Sequence, residues 1–358
     1  MSNDVFGKKR PGDGNALKSD KLLASVRHLQ GVPFVEVTRG ESVESVHRVA
    51  ACAVDARGEV LLALGEIEAP IFLRSSAKPF IAAAAIAAGA RERFGLTSVE
   101  IAVMAASHSG EPFHVEAVRS ILRKIGMDES ALLCGAHAPY NAAAAHALAS
   151  AGTEPTAVHN NCSGKHAGIL ALCSILGADP ATYLDARSPA QRQILALCAR
   201  LSGTRVEEMA LGVDGCGIPV YAVALRAAAI SFMRLATLDG IADADARALR
   251  TVRDAMLAHP EYIAGTGEFD SAVMRAAGGA IACKGGAEGV HGDALIARGA
   301  GLVLKIVDGS SRARAPAAVE LLKRLGALGE TELAELGGFA RPVVYNRAGR
   351  PVGEIRTN

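Results

Sequence analysis

Tryptophan is absent from the 358 residues, and aromatic residues of all kinds make up only 4%. Half the chain is nonetheless hydrophobic and 21% is charged, which is the composition of an ordinary globular enzyme and excludes general disorder. A large excess of one charge is also missing. The formal net charge is +1, so nothing general draws the chain to nucleic acid or to an anionic membrane. No apolar run reaches the roughly 18 to 20 residues that cross a bilayer; the longest, Pro79 to Ala90, stops at Arg91. The first thirty residues hold Lys8, Lys9, Arg10, Lys18, Asp20 and Lys21 with no continuous apolar stretch before Leu22, so no secretory leader is legible and a cytoplasmic protein is expected. The seven cysteines are odd in number, scattered and without a C-x-x-C pair. They do not form a disulfide framework.

Residues 1–31 mix Gly, Pro, Asn and both charges, a pattern expected of a mobile extension. Apolar and β-branched runs at Val46 to Val54 and Val60 to Leu64 flank Asp55-Ala56-Arg57-Gly58, which predicts a hairpin. Helical patterns then dominate: Pro79 to Ala90, Val99 to Ala106, Phe113 to Ile125, Ala142 to Ala151, Lys165 to Leu176, Pro189 to Leu201 and Pro219 to Ala236. Pro112, Pro189 and Pro219 each stand where a helix is expected to begin. Strand signals return at Ala280 to Lys284, Asp293 to Ala297 and Leu302 to Val307. After a helix, Pro316 to Leu325, comes a last hairpin, Val343 to Tyr345 and Val352 to Ile355, turned at Asn346 to Gly349. The expected fold is α+β, with an antiparallel sheet of N- and C-terminal strands flanked by helices. An α/β part at 32–110 and 265–358 is expected to receive an inserted, mainly helical part at 111–264.

Five polar segments interrupt these patterns. In Ser75-Ser76-Ala77-Lys78, directly before Pro79, the S-x-x-K spacing puts a hydroxyl and an amine one helical turn apart. A lysine can take the serine proton only when neutral, which burial or neighbouring positive charge favours. The start of the helix also offers backbone N–H groups to an oxyanion. Ser107-His108-Ser109-Gly110-Glu111-Pro112 follows an apolar helix; Ser107 there is either a second nucleophile or proton shuttle, or a helix cap. Asn160-Asn161-Cys162-Ser163-Gly164-Lys165-His166 and Asp214-Gly215-Cys216-Gly217-Ile218-Pro219 each set a cysteine at an expected helix start, suited to a thiolate, to a metal, or simply to packing. Cys283-Lys284-Gly285-Gly286 ends a strand, so Lys284 is expected over a glycine-rich loop that a ligand can approach.

Taken together and in this order, the five segments resemble the Rhizobium-type asparaginase II family, from about Val35 to the C-terminus. The resemblance implies a fold like that of serine β-lactamases, penicillin-binding proteins and glutaminases, and a homodimer. It further implies two Ser-Lys tandems, Ser75 with Lys78 and Ser107 with Lys284. One zinc ion per subunit is implied beside the serines, on Cys162, Lys165 and Cys216, with Lys165 an unusual ligand. The reaction it implies is hydrolysis of L-asparagine to L-aspartate and ammonia by one of the two serines, which spacing does not rank.

A free amino acid brings two charges that must both be paired on burial. Arg74 and Asp214 are the expected partners of its α-carboxylate and α-ammonium, and His166 is expected to orient either the zinc shell or the substrate. Rival readings are another acylase of the same architecture (a glutaminase, penicillin hydrolase or esterase), a non-catalytic zinc-binding protein, and a cysteine hydrolase using Cys162 with His166 one turn apart.

Overall fold

In a computed structural model, residues 29–358 are described. Of the expected extension, residues 1–28 lie outside the described residues, whereas the Gln30 carbonyl accepts a hydrogen bond from the Glu66 amide at 2.7 Å.

The sheet is seeded by two turns that the sequence announces. Asp55 N–H donates to the Glu59 carbonyl and Gly58, at φ +80°, donates back to Asp55, joining β2 (Ser42–Val54) to β3 (Val60–Leu64). At the other end, Gly349 (φ +73°) and Asn346 close the turn between β10 (Val343–Tyr345) and β11 (Pro351–Thr357). β1 (Val32–Arg39) pairs antiparallel with β2 on one side and with β11 on the other, so the two chain ends share one sheet as expected. β2 is exposed over most of its first half and buried throughout from Val49 to Val54, as befits a run that becomes a central strand. Its partner β9 (Ala300–Ile306) continues to β8 (Val290–Leu295) and β7 (Ile281–Gly286). The eight-stranded sheet therefore runs β10-β11-β1-β2-β9-β8-β7, with β3 also on β2.

A second, three-stranded sheet joins one strand of the expected α/β part to two strands in the region expected to be helical. It has the order β4-β6-β5, from β4 (Pro70–Phe72), β5 (Ala210–Val213) and β6 (Pro219–Ala224). The helix expected from Pro219 therefore begins only at Leu225. Val220, Tyr221 and Val223 suit a pleated, buried surface, and proline is tolerated as the first residue of a strand. The turn into β8 is likewise shorter than the glycines suggested, and β8 starts at Val290 rather than Asp293.

Helix Leu225–Thr237 packs on β8, β9 and β2, a close approach that a side chain at Gly301 would block against Ala229 and Met233 backbone. Helix Lys78–Ala87, buried along almost its whole length, touches helices Ser163–Leu176 and Asp243–Ala258. Helix Ser163–Leu176 also packs on helix Ser98–Met104. At that crossing a Cβ on Gly164 would collide with the Val103 carbonyl. This contact brings the 161–165 segment against the 104–107 segment, and so positions the site.

Replacing Gly164 with Ala should cost about 1 to 3 kcal/mol, the usual range for an overpacked core. Thermal unfolding would measure it. An unchanged melting temperature would show that the crossing is not tight.

Candidate active site

Four of the five polar segments meet at one place. Ser75, Ser107, Asn161, Asp270, Lys284 and Arg314 are among the walls of a cavity of about 400 Å³. A larger groove of about 580 Å³, along helix Arg314–Arg324 and the C-terminus, holds none of the candidate residues.

Lys78 is fully buried at the start of its helix. Its amine lies 2.9 Å from the Ser107 hydroxyl, 2.6 Å from the Ala106 carbonyl and 3.4 Å from the Asn161 carbonyl. The structure thus forms neither expected tandem as a hydrogen bond: among the described residues, Lys78 hydrogen-bonds Ser107 and not Ser75, and Lys284 hydrogen-bonds neither serine. The i, i+3 spacing offered Ser75, but Lys78 turns inward across the crossing helices. Ser75 remains half-buried on the same cavity. Burial pushes the Lys78 amine down to about 8, helped by the ammonium groups of Lys165 and Lys284 and opposed by Cys162 and Cys216.

Ser107 is held by its backbone, whose N–H donates to the Ile263 carbonyl at 2.9 Å, and by the next residue, whose N–H donates to the Asn161 carbonyl at 3.2 Å. Both amides are therefore engaged and unavailable to an oxyanion. The buried His108 ring braces the loop: its Nδ1 accepts from Gly110 N–H at 3.2 Å and its Nε2 lies 2.9 Å from Ser163 Oγ. Burial keeps this ring neutral, well below its ordinary pKa, which suits one nitrogen accepting and the other donating.

Lys284, on β7, donates to Asp270 at 3.2 Å and to its neighbour's carbonyl, Gly285 O, at 2.8 Å. Asp270 is the residue that sequence reasoning missed. It sits in the first turn of helix Phe269–Ala276, where an Asp reads as ordinary helix-start chemistry. Arg314, which reaches the same carboxylate at 3.2 Å, gave no signal at all.

The three residues expected to hold zinc are also together. Lys165 Nζ is 2.9 Å from Cys216 Sγ, and the two thiols share a hydrogen bond. That bond, with the charges of Lys78 and Lys165 acting against burial, holds Cys162 well below the usual thiol range, while the same bond pushes Cys216 up. Burial works to lower Lys165, but Cys162 and Cys216 outweigh it and the amine is raised. Two thiols and an amine converging in a buried spot fit a zinc ion, provided that Lys165 gives up its proton on binding.

Arg74 and Asp214 bind each other through two hydrogen bonds of 3.0 and 2.8 Å. With Lys78 and Lys165 they border a gap of about 10 Å³. Arg74 adopts φ +51°, a left-handed conformation that a non-glycine residue rarely takes and that clusters at functional sites. Asp214 stays ionised: Lys165 and Arg74 pull it below the carboxylate range against its burial. His166 faces away from the cavity; its Nδ1 is 2.6 Å from the Tyr183 hydroxyl, which accepts from Leu133 N–H. That engagement leaves the pairing of His166 with Cys162 unsupported.

The family model described as L-asparaginase II matches residues 35–357. No curated protein matches. Among solved structures, the chain is similar to Mglu in its glutamate form (14% identity, TM-score 0.44), with 78% of this chain and 61% of that one covered. It is also similar to Mglu in its tris and glutamate form (14%, TM-score 0.45; 87% and 66% covered), and to native Mglu in the presence of 4.3M NaCl (15%, TM-score 0.44; 87% and 68% covered). The chain thus spans about three fifths of the length of the first of these.

If Cys162, Cys216 and Lys165 bind zinc, loading should release about two protons near pH 7, one from the thiol pair and one from the amine. Calorimetry in buffers of different ionisation enthalpy counts them. An affinity that does not change between about pH 6 and about 8 would remove Lys165 from the ligand set.

Proposed function

Because this chain belongs to the L-asparaginase II family, and is on that ground an amidohydrolase, we propose that it hydrolyses L-asparagine to L-aspartate and ammonia with Ser107 as nucleophile and Lys78 as base. The observation that carries this reading is the 2.9 Å contact between the Lys78 amine and the Ser107 hydroxyl. A neutral amine has two N–H donors and one lone pair. The Ala106 and Asn161 carbonyls take the donors, which leaves the lone pair for the hydroxyl proton.

In the first half-reaction, Ser107 Oγ bonds to the side-chain amide carbon while its proton passes to Lys78. The C–N bond then breaks, and Lys78 returns the proton to the departing ammonia. In the second, water attacks the aspartyl ester, gives its proton to Lys78, and Ser107 leaves with it. Proton transfer of this kind contributes about 10² to 10⁴ in rate. Ser75 and Lys284 line the same cavity, and Lys284 adds positive charge where the oxyanion forms. Cys162, Lys165 and Cys216 would hold a zinc ion as two thiolates and a neutral amine, and a bound zinc would act there as a Lewis acid beside Lys78.

The Arg74–Asp214 pair suits a zwitterion. An entering amino acid offers a carboxylate to Arg74 and an ammonium to Asp214, so each buried charge exchanges one partner for another. His166 supports the metal-bearing helix through Tyr183 rather than touching substrate. The reading includes a homodimer, as the family resemblance suggests, and a cytoplasmic setting, which the seven free cysteines suit.

An ammonia-release assay on asparagine and glutamine tests the reading. Ser107→Ala and Lys78→Ala should each lower kcat about a thousandfold or more, and Ser75→Ala should be milder. Equal turnover of glutamine would favour the glutaminase rival. The base form of Lys78 exists above its pKa, so kcat/KM should climb about tenfold per pH unit and level off above about 8. A flat profile from about pH 6 to about 9 would contradict a lysine base.

A further inference from the structure

Behind Lys284 lies a buried set of charges that the reaction as written does not use. β7 is the last strand of its sheet. The Asp270 carboxylate sits on its free edge, accepting from Gly285 N–H at 2.7 Å, from Lys284 Nζ at 3.2 Å and from Arg314 Nη1 at 3.2 Å. On the neighbouring strand, His291 pairs with Gly285, and Asp293 with Cys283. Residues two apart share one face of a strand, so His291 and Asp293 stand side by side. The His291 ring spans two carboxylates, with Nε2 3.0 Å from Asp293 Oδ1 and Nδ1 3.7 Å from Asp270 Oδ1. Both residues are 0% exposed.

Burying two carboxylates and an imidazole behind a pocket costs several kcal/mol unless each is paired. His291 Nδ1 and Asp293 Oδ2 have no hydrogen-bond partner, and the His291 ring meets Asp293 through Nε2 at 3.0 Å. Gly285 is part of the design: a side chain there would collide with the Arg314 guanidinium and crowd Asp270. Asp270, Cys283 and His291 also bring three possible ligand atoms within 4.8 Å of one another. Lys284 and Arg314 already occupy the carboxylate, however, and a divalent ion would face both cations, so charge pairing is the better account.

We infer that Asp270, braced by His291 and Asp293, is a positioning residue that fixes the Lys284 amine against the cavity wall and holds it as the ammonium. Burial is the largest influence and leaves the Lys284 amine below its ordinary value; the Asp270 carboxylate is the largest influence against this lowering, with Arg314 adding to the lowering and Cys283 giving a smaller pull towards the ammonium. Asp270 stays ionised despite burial because Lys284, Arg314 and His291 surround it. Glu268 faces the same carboxylate from the start of its helix, and Lys78 is the second amine, coupled to Lys284 by charge repulsion. The two lysines then have separate tasks. Lys78 has no carboxylate among its hydrogen-bond partners, whereas Lys284 has Asp270 at 3.2 Å.

The inference rests on the proposed hydrolysis only for its kinetic consequence, so its test reads Lys284 directly. Lysine labelled with ¹³C at Cε, assigned by Lys284→Arg, gives the titration midpoint of Lys284 in the full chain without substrate. In Asp270→Asn the midpoint should fall by about one to three pH units, the effect of removing an opposite charge at this range. In Asp293→Asn and His291→Leu it should fall in the same direction by less. An unmoved midpoint in Asp270→Asn overturns the assignment to Asp270; unmoved midpoints in the other two overturn the brace behind it. Should Asp270→Asn fail to fold, the other two variants decide by the same criterion. Wild type that releases no ammonia from any amide would sink the proposed function while leaving this titration to stand or fall on its own.

Discussion

A single buried amine organises the site. Lys78 has no carboxylate on its nitrogen; it meets two carbonyls, the Ser107 hydroxyl and the Cys162 thiol. A lysine in that position cannot be stabilised as an ammonium the way a salt-bridged one is, and burial moves it towards neutrality. The surrounding structure maintains this condition. Helices Lys78–Ala87, Ser98–Met104 and Ser163–Leu176 press together, exclude water from the nitrogen and deliver the Ala106 and Asn161 carbonyls to it.

The neighbouring charges are sorted by the same rule. Lys284 has Asp270, Arg74 has Asp214, and Lys165 has the thiols of Cys162 and Cys216. Each of those cations is paired with a carboxylate or a thiol, whereas the shortest contacts of Lys78 are to two carbonyls and a hydroxyl. A cluster of three lysines would otherwise repel itself apart; distributing the anions so that one member is left out turns the repulsion into a lowered proton affinity at that member.

How much of this could be read in advance depends on whether the signal was local. Turns at Asp55 to Gly58 and Asn346 to Gly349 were legible because Gly and Asn at fixed offsets have few other uses. The joining of chain ends in one sheet followed from strand signals at both ends. Pro219 misled because a proline opens a helix and a strand equally well, and only the pairing of β6 with β4 and β5 decides. At the site, the pairing of Ser107 with Lys78 was not legible: it depends on a residue 29 positions away in sequence rather than on one helical turn. Asp270, Arg314, His291 and Asp293 carried no motif. An aspartate near a helix start and an arginine in a basic segment are commonplace, and their importance arises only from what the sheet edge brings beside Lys284.

The central claim is that the hydroxyl beside the unpaired amine is the one that becomes acylated. Rapid acid quench during turnover of asparagine, or of a slowly deacylating aspartyl ester, followed by proteolysis and mass analysis, locates the ester on the chain. The account predicts an aspartyl adduct on the peptide carrying Ser107, lost in Ser107→Ala and much reduced in Lys78→Ala. An adduct on Ser75 or Cys162, with Ser107 unmodified, would contradict it.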